Sequence, residues 1–145
     1  MSVELPFAPV DEVIRRNAGD LRVSSGAAET LADRIQQEGA GRAVVAAERA
    51  AADGRKTLMV GDFDAEQVPS RDSLALPIAP VDRVARLDIG DRYRVSMDAR
   101  VALAAQLEAF ADDVAAVAAL LARHAGRRTV KAEDIAAYDD LEPYF

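Results

Sequence analysis

Along the second half of the chain, Leu103, Leu107, Phe110, Val114, Val117 and Leu121 recur at three- and four-residue steps. That spacing lines one stripe of a helix and predicts a single long helix there. The first half carries a thinner version, Leu31, Ile35, Val45 and Ala46, crossed by Gly39 and Gly41. Each glycine costs about 1 kcal/mol relative to alanine in a helix interior, so this copy is expected to bend or soften there. Ser24 and Ser96 stand where N-caps are needed, and Gly54 and Gly126 end the long helices as C′ residues. Shorter helices are expected on either side. The first of each half opens at Pro9 or Pro80, where proline gives up no helical hydrogen bond. Asp11 or Asp82 follows in that first turn, favoured by the helix dipole, and the helix breaks at Gly19-Asp20 or Gly90-Asp91. The third helices are expected from roughly Val60 and Lys131.

These matching signals come from an internal repeat. Leu5-Pro6-Phe7-Ala8-Pro9-Val10-Asp11 returns as Leu76-Pro77-Ile78-Ala79-Pro80-Val81-Asp82, 71 positions on. One residue is inserted near Tyr93, after which Arg22-Val23-Ser24 matches Arg94-Val95-Ser96. Gly54-Arg55-Lys56-Thr57 then matches Gly126-Arg127-Arg128-Thr129, and Asp62 matches Asp134. The expected organisation is all-α: a first unit over 1–63, a linker over 64–75 containing Pro69, Ser70 and Ser73, and a second unit over 76–145. A long helix flanked by two short ones cannot enclose its own apolar stripe, and a unit of ~60 residues is marginal alone. Two such units crossing at their long helices bury both stripes together. Fusion on one chain makes that pairing intramolecular and independent of concentration.

Composition then sharpens the picture. The formal net charge is −7, and 16 of the 18 basic residues are arginine, Lys56 and Lys131 being the exceptions. Scarce lysine with abundant aspartate resembles the composition of proteins from salt-in halophiles. There is no cysteine, which excludes disulfides and thiolate metal sites. No apolar run approaches the ~20 residues of a membrane span, and no signal-peptide pattern opens the chain, so a cytoplasmic setting is expected. Catalysis finds no support: no Gly-rich phosphate loop is present, and His124 is the single histidine, without partners at ligand spacing. Asp112-Asp113 and Asp139-Asp140 read as solvated charge, because adjacent helical residues do not converge on a metal. No catalytic residue, metal or cofactor is expected.

The landmarks resemble those of archaeal histones. Leu-Pro-x-Ala-Pro before the first helix, Arg-Val-Ser opening the long one, and Leu-Ala-Arg-His-Ala-Gly-Arg-Arg-Thr-Val-Lys-Ala-Glu-Asp at 121–134 carry the resemblance in two copies. The doublet with acidic composition is similar to the fused histones of halophilic archaea. The resemblance implies two histone folds in a handshake pseudo-dimer that binds double-stranded DNA through its phosphates, associated with the nucleoid. By position, Arg22 is expected beside Arg127, Arg128 and Thr129, and Arg94 beside Arg55, Lys56 and Thr57. Phosphate contacts are assigned to Arg15, Arg22, Lys56, Thr57, Arg83, Arg86, Arg94, Arg128 and Thr129. Arg55 with Asp62, and Arg127 with Asp134, are expected as supporting ion pairs. Arg34, Arg42 and Arg100 are expected on solvated faces.

Two departures from the family bear on function. The family's minor-groove arginine is kept as Arg83 in the second half, but Glu12 stands there in the first, so the ridge is expected to be lopsided. End-to-end association in the family uses the Leu-Ala-Arg-His stretch, kept here as Leu121, Arg123 and His124; the first half has Arg49, Ala51 and Ala52. Self-association is therefore expected through the second half alone. The alternative reading, favoured by the negative charge, is a histone-fold interaction subunit of a transcription complex with little direct DNA contact. Molar salt would also weaken phosphate binding steeply: six neutralised phosphates give a slope near −5 in log affinity against log salt. That points to sparse, gene-regulatory occupancy more than to bulk compaction.

Overall fold

The computed structural model describes residues 3–145. The first half contains helix α1 (Phe7–Ala18), a two-residue strand β1 (Arg22–Val23), the long helix α2 (Ser25–Ala52) and strand β2 (Thr57–Leu58). The second repeats this as α3 (Ile78–Ala85), β3 (Arg94–Val95), α4 (Met97–His124) and β4 (Thr129–Val130), followed by α5 (Ala132–Leu141). Both long helices are 28 residues, about 42 Å at the helical rise of ~1.5 Å per residue. Ser24 and Ser96 cap them, each hydroxyl accepting from the N–H three residues on, Ala27 at 3.0 Å and Ala99 at 3.1 Å. Gly54 and Gly126 follow their ends at φ of +70° and +73°, where a side chain would be strained.

The halves share one core. Leu31 and Ile35 of α2, Leu103, Leu107 and Val114 of α4, Val13 and Ile14 of α1, and Val81 and Val84 of α3 are all fully buried in a single cluster. The chain is thus an all-α pair of histone folds clasped in an intramolecular handshake. Neither half could be sealed without the other.

Several expectations are corrected. Helix α2 runs unbroken through Gly39 and Gly41. Its buried face in that region is Gly39, Ala43, Ala46, Ala47 and Ala50, while Val45 is 44% exposed, so small residues continue the stripe and let neighbouring helices close in. Helices α1 and α3 begin at Phe7 and Ile78, two residues before the prolines. Asp11 and Asp82 therefore sit beyond the first turn, and pair instead with Arg15 and Arg86 four residues on. Helix α3 ends at Ala85, well short of Gly90.

The largest correction lies at the first half's third helix. In place of a helix from Val60 there is a 3₁₀ turn, Val60–Phe63. Phe63 is buried like its counterpart Ile135, so the anchor is kept. The chain then leaves the helical path at Asp64, whose φ is +57°, and Pro69 bars any later continuation. The stretch to α3 holds a further 3₁₀ turn, Arg71–Ser73, and Leu76 is buried at its end. An open groove lined by Arg42, Val45, Arg49, Phe63 and Gln106 remains beside the shortened turn. Among the described residues no helix is long and apolar enough to cross a membrane.

Candidate nucleic-acid interface

The ends of the long helices are joined by two short parallel ladders. In one, Arg22 pairs with Thr129 and Val23 with Val130; in the other, Thr57 pairs with Arg94 and Leu58 with Val95. The hydrogen bonds repeat between them. The Arg22 N–H donates to the Arg128 carbonyl and the Arg94 N–H to the Lys56 carbonyl, both at 2.8 Å. The Ser24 and Ser96 N–H groups donate to the Val130 and Leu58 carbonyls, both at 3.0 Å. The expected neighbours thus meet, each ladder taking one strand from each half.

A carboxylate braces each ladder from behind. Asp62 accepts from both terminal nitrogens of Arg55, at 2.8 and 2.9 Å, and from the Met59 N–H at 2.7 Å. Arg55 also donates to the Thr57 carbonyl at 2.9 Å. Asp134 repeats this with Arg127 at 2.6 Å and the Lys131 N–H at 2.8 Å. The Arg55 hydrogen bonds hold the Asp62 carboxyl below the usual carboxylate range. Burial pushes the Asp134 carboxyl up, but Arg127 and the Lys131 N–H outweigh it, and the net shift is downward. Arg55 and Arg127 are therefore engaged inside the chain, fixing the turn that presents the residue after each of them.

The first helices connect the ladders. Helix α1 leads directly into β1, and α3 reaches β3 through the turn at Gly90–Arg92, while Arg83 in the last turn of α3 lies 3.8 Å from Glu4, just ahead of α1. One edge of the molecule thus runs from the β1–β4 ladder along α1, across this junction and along α3 to the β2–β3 ladder. On it, Arg15 is bound to Asp11 at 2.6 Å but stays 58% exposed. Arg86 is more confined, between Asp82 at 3.1 Å and the Tyr93 carbonyl at 3.2 Å. Glu12 is exposed on the same helix as Arg15.

The expected solvated arginines are mostly engaged. Arg34 binds Asp139 and Glu38 and lies 4.9 Å from the centre of the Phe110 ring. Arg42 binds Glu38 and Gln106, and Arg100 binds Asp82 and the Val95 carbonyl. Asp112, expected as solvated charge, holds Arg16 at 2.7 Å and Asn17 at 2.8 Å. Burial raises its pKa, yet these partners bring it below the usual carboxylate range. Arg123 donates to the Ala18 carbonyl at 2.9 Å, closing the end of α1 onto α4. His124 is exposed and Leu121 partly buried, while Leu120, outside the expected interface set, is 63% exposed.

Sorting the cations gives a simple result. Of the 18 basic residues, ten lie within ion-pair distance of a carboxylate among the described residues: Arg15, Arg16, Arg34, Arg42, Arg49, Arg55, Arg83, Arg86, Arg100 and Arg127. Six of the remaining eight stand at the ladders. Arg22, Arg128 and Lys131 are at one; Lys56, Arg92 and Arg94 are at the other. Arg92 and Lys131 were missed in sequence because neither belongs to the repeated triplets. The inserted residue was the available signal for Arg92.

Comparison with known proteins agrees with this architecture. Residues 74–137 match the family described as histone-like transcription factor (CBF/NF-Y) and archaeal histone. A crystal structure of the histone from Methanopyrus kandleri superposes with a TM-score of 0.68 at 26% identity, covering 92% of this chain and 91% of that one. A protein from Thermus thermophilus shares the fold, with a TM-score of 0.72 at 18% identity over 98% of this chain and 99% of its own. The archaeal histone HAN1 of Thermococcus zilligii is 55% identical over 60 residues, 41% of this chain and 87% of that relative. With that relative matched over most of its length, and two clasped histone folds in the structure, the chain belongs to the archaeal histone family.

Proposed function

We propose that this protein binds double-stranded DNA through the phosphate backbone, with little base specificity, as a histone-like chromatin or transcription-modulating protein of the nucleoid. The observation that carries this reading is the sorting of cations: carboxylates neutralise most arginines, while the six at the ladders have none within ion-pair distance among the described residues. The net negative charge then belongs to the rest of the surface and does not veto an anionic ligand at this edge. Guanidinium groups, threonine hydroxyls and exposed loop N–H groups are natural phosphate ligands. The ladders lie at opposite ends of helices about 42 Å long, a span comparable to one duplex turn of ~34 Å. Arg22, Arg128 and Thr129 serve one backbone crossing, and Lys56, Thr57 and Arg94 the other. Arg15, Arg83 and Arg86 line the path between them, with Glu4 and Glu12 weakening its centre. The division into units at 1–63 and 76–145 belongs to this reading, each ladder drawing on both. So does the role as a binder rather than a catalyst.

The test is duplex binding over a salt series, run alongside circular dichroism to establish where the chain is folded. Replacing Arg94 and Arg128 together by alanine is expected to lower affinity at least tenfold and to shrink the salt slope by about 2, with the fold intact. No binding at any salt where the wild-type chain is folded would hand the reading to its rival, a protein-interaction module. The negative charge and the Arg83–Glu4 pair favour that rival. If the acidic composition reflects life in concentrated salt, counterion release contributes little and occupancy on the chromosome is sparse. Even, gene-blind coverage in the native cell would argue against a modulating role.

Self-association through the second half is part of the same proposal. There the end of α4 presents Leu120, Leu121 and His124, whereas the first half has Arg49, Ala51 and Ala52 at the end of α2, followed by a 3₁₀ turn. Sedimentation equilibrium is expected to show two-chain species and no longer series. Leu120→Glu, at an exposed site, is expected to return them to single chains.

A further inference from the structure

The two ladders are not equivalent, and the difference lies in one inserted residue. Both halves read Gly-Asp after the first helix, at Gly19-Asp20 and Gly90-Asp91. The first half then passes through Leu21 to Arg22. The second places Arg92 before Tyr93 and Arg94. Leu21 and Tyr93 both pack against the core, so the additional position is Arg92. Asp20 keeps its counterpart in Asp91, so the insertion adds one positive charge, Arg92, two residues before the ladder arginine.

Its surroundings are defined. Gly90 at φ +69° starts a 3₁₀ turn, Gly90–Arg92, which lifts the inserted residue into solvent. The next residue is tied down, the Tyr93 carbonyl accepting from Arg86 at 3.2 Å and the Arg94 N–H donating to the Lys56 carbonyl at 2.8 Å. These ties bring Arg92 and Lys56 to one cleft of about 320 Å³, whose other walls are Ala51, Gly54, Arg55 and Tyr93. Arg55 is held by Asp62 and Asp53. Arg92 and Lys56 have no carboxylate within ion-pair distance among the described residues and are exposed.

We infer that Arg92 and Lys56 clamp a backbone phosphate of double-stranded DNA in this cleft, a contact the β1–β4 ladder cannot make because the first half passes from Asp20 through Leu21 to Arg22 with no residue matching Arg92. The inference rests on the DNA-binding reading above. The clamp makes the β2–β3 ladder the stronger of the two, which offsets the loss there of Lys131, whose counterpart is Met59. A guanidinium suits the role, since its planar fork can bind two phosphate oxygens at once.

The test is fluorescence anisotropy with a short duplex, over a salt series in which circular dichroism reports a folded chain. Arg92→Ala is expected to lower affinity about five- to tenfold near 0.1 M salt and to reduce the salt slope by about 1. Arg92→Lys should keep the slope. Arg71→Ala, which removes another exposed arginine from the segment between the halves, should change neither and so measures the effect of net charge alone. If Arg92→Ala matches Arg71→Ala while the Arg94 and Arg128 double variant still loses binding, the clamp is wrong and the broader reading stands. If the wild-type chain does not bind the duplex, both fall.

Discussion

Replacing Glu108 by alanine is expected to destabilise the protein by about 2–4 kcal/mol, seen as a lower midpoint of chemical denaturation with an unchanged slope. Glu108 is buried in the middle of α4, 7% exposed. One carboxylate oxygen accepts from the Ala75 and Leu76 N–H groups at 2.6 and 2.9 Å, and the other from Arg16 at 3.0 Å. It thereby docks the start of the second half onto its own long helix and ties α1 of the first half to the same point. Alanine would leave two N–H groups without an acceptor at a site where water is largely excluded, each costing about 1–3 kcal/mol. Arg16 adds little to that cost, being well exposed and still paired with Asp112. The conservative test is Glu108→Gln. Its counterpart in the first half is already glutamine, Gln36, whose side-chain oxygen accepts from the Glu4 N–H at 2.7 Å. Glutamine at 108 is therefore expected to retain most of the stability. If it costs as much as alanine, the charge and not the acceptor holds the junction together.

A methyl group at position 39 is expected to cost about 1–3 kcal/mol, whereas the same change two residues on should stabilise. A Cβ on Gly39 would lie 2.8 Å from Cγ1 of Val84 and 2.9 Å from Cδ1 of Leu107. Both side chains are fully buried, so neither can give way without disturbing α3 or α4. Gly39 is a point at which α2 comes close to both α3 and α4 of the other half. Gly41 has nothing within 4 Å of the same construction, and Gly41→Ala should gain about 0.5–1 kcal/mol by restricting the unfolded chain and favouring helix. Thermal or denaturant unfolding of the two variants would separate them. Equal effects of the same sign would mean that helix propensity, not close approach, governs this region.

The same contrast marks what could be read from residues in order. Two glycines in one helix look alike in sequence, because propensity is local and does not know what lies opposite. Ser24, Ser96, Gly54 and Gly126 were legible for the converse reason: a cap acts within three residues of itself. The partners of Arg22 and Arg94 were legible only through the family resemblance, since no local rule joins position 22 to 129. Val60 to Phe63 carried the same anchoring Asp62 as its repeat. The loss of helix after it depended on Asp64 turning into the left-handed region, which many aspartates could do and few must.

By itself the order of residues determined the repeat, the capped long helices and the need for each half to cover the other, all consequences of period and short-range hydrogen bonding. Only the tertiary structure decided which arginines meet carboxylates. Arg16, Arg34 and Arg100 find theirs across helices, at separations in sequence too large for any pattern to encode. That long-range pairing leaves the ladder cations without a carboxylate at ion-pair distance among the described residues, which is how an acidic chain can gather positive charge at the two ladders.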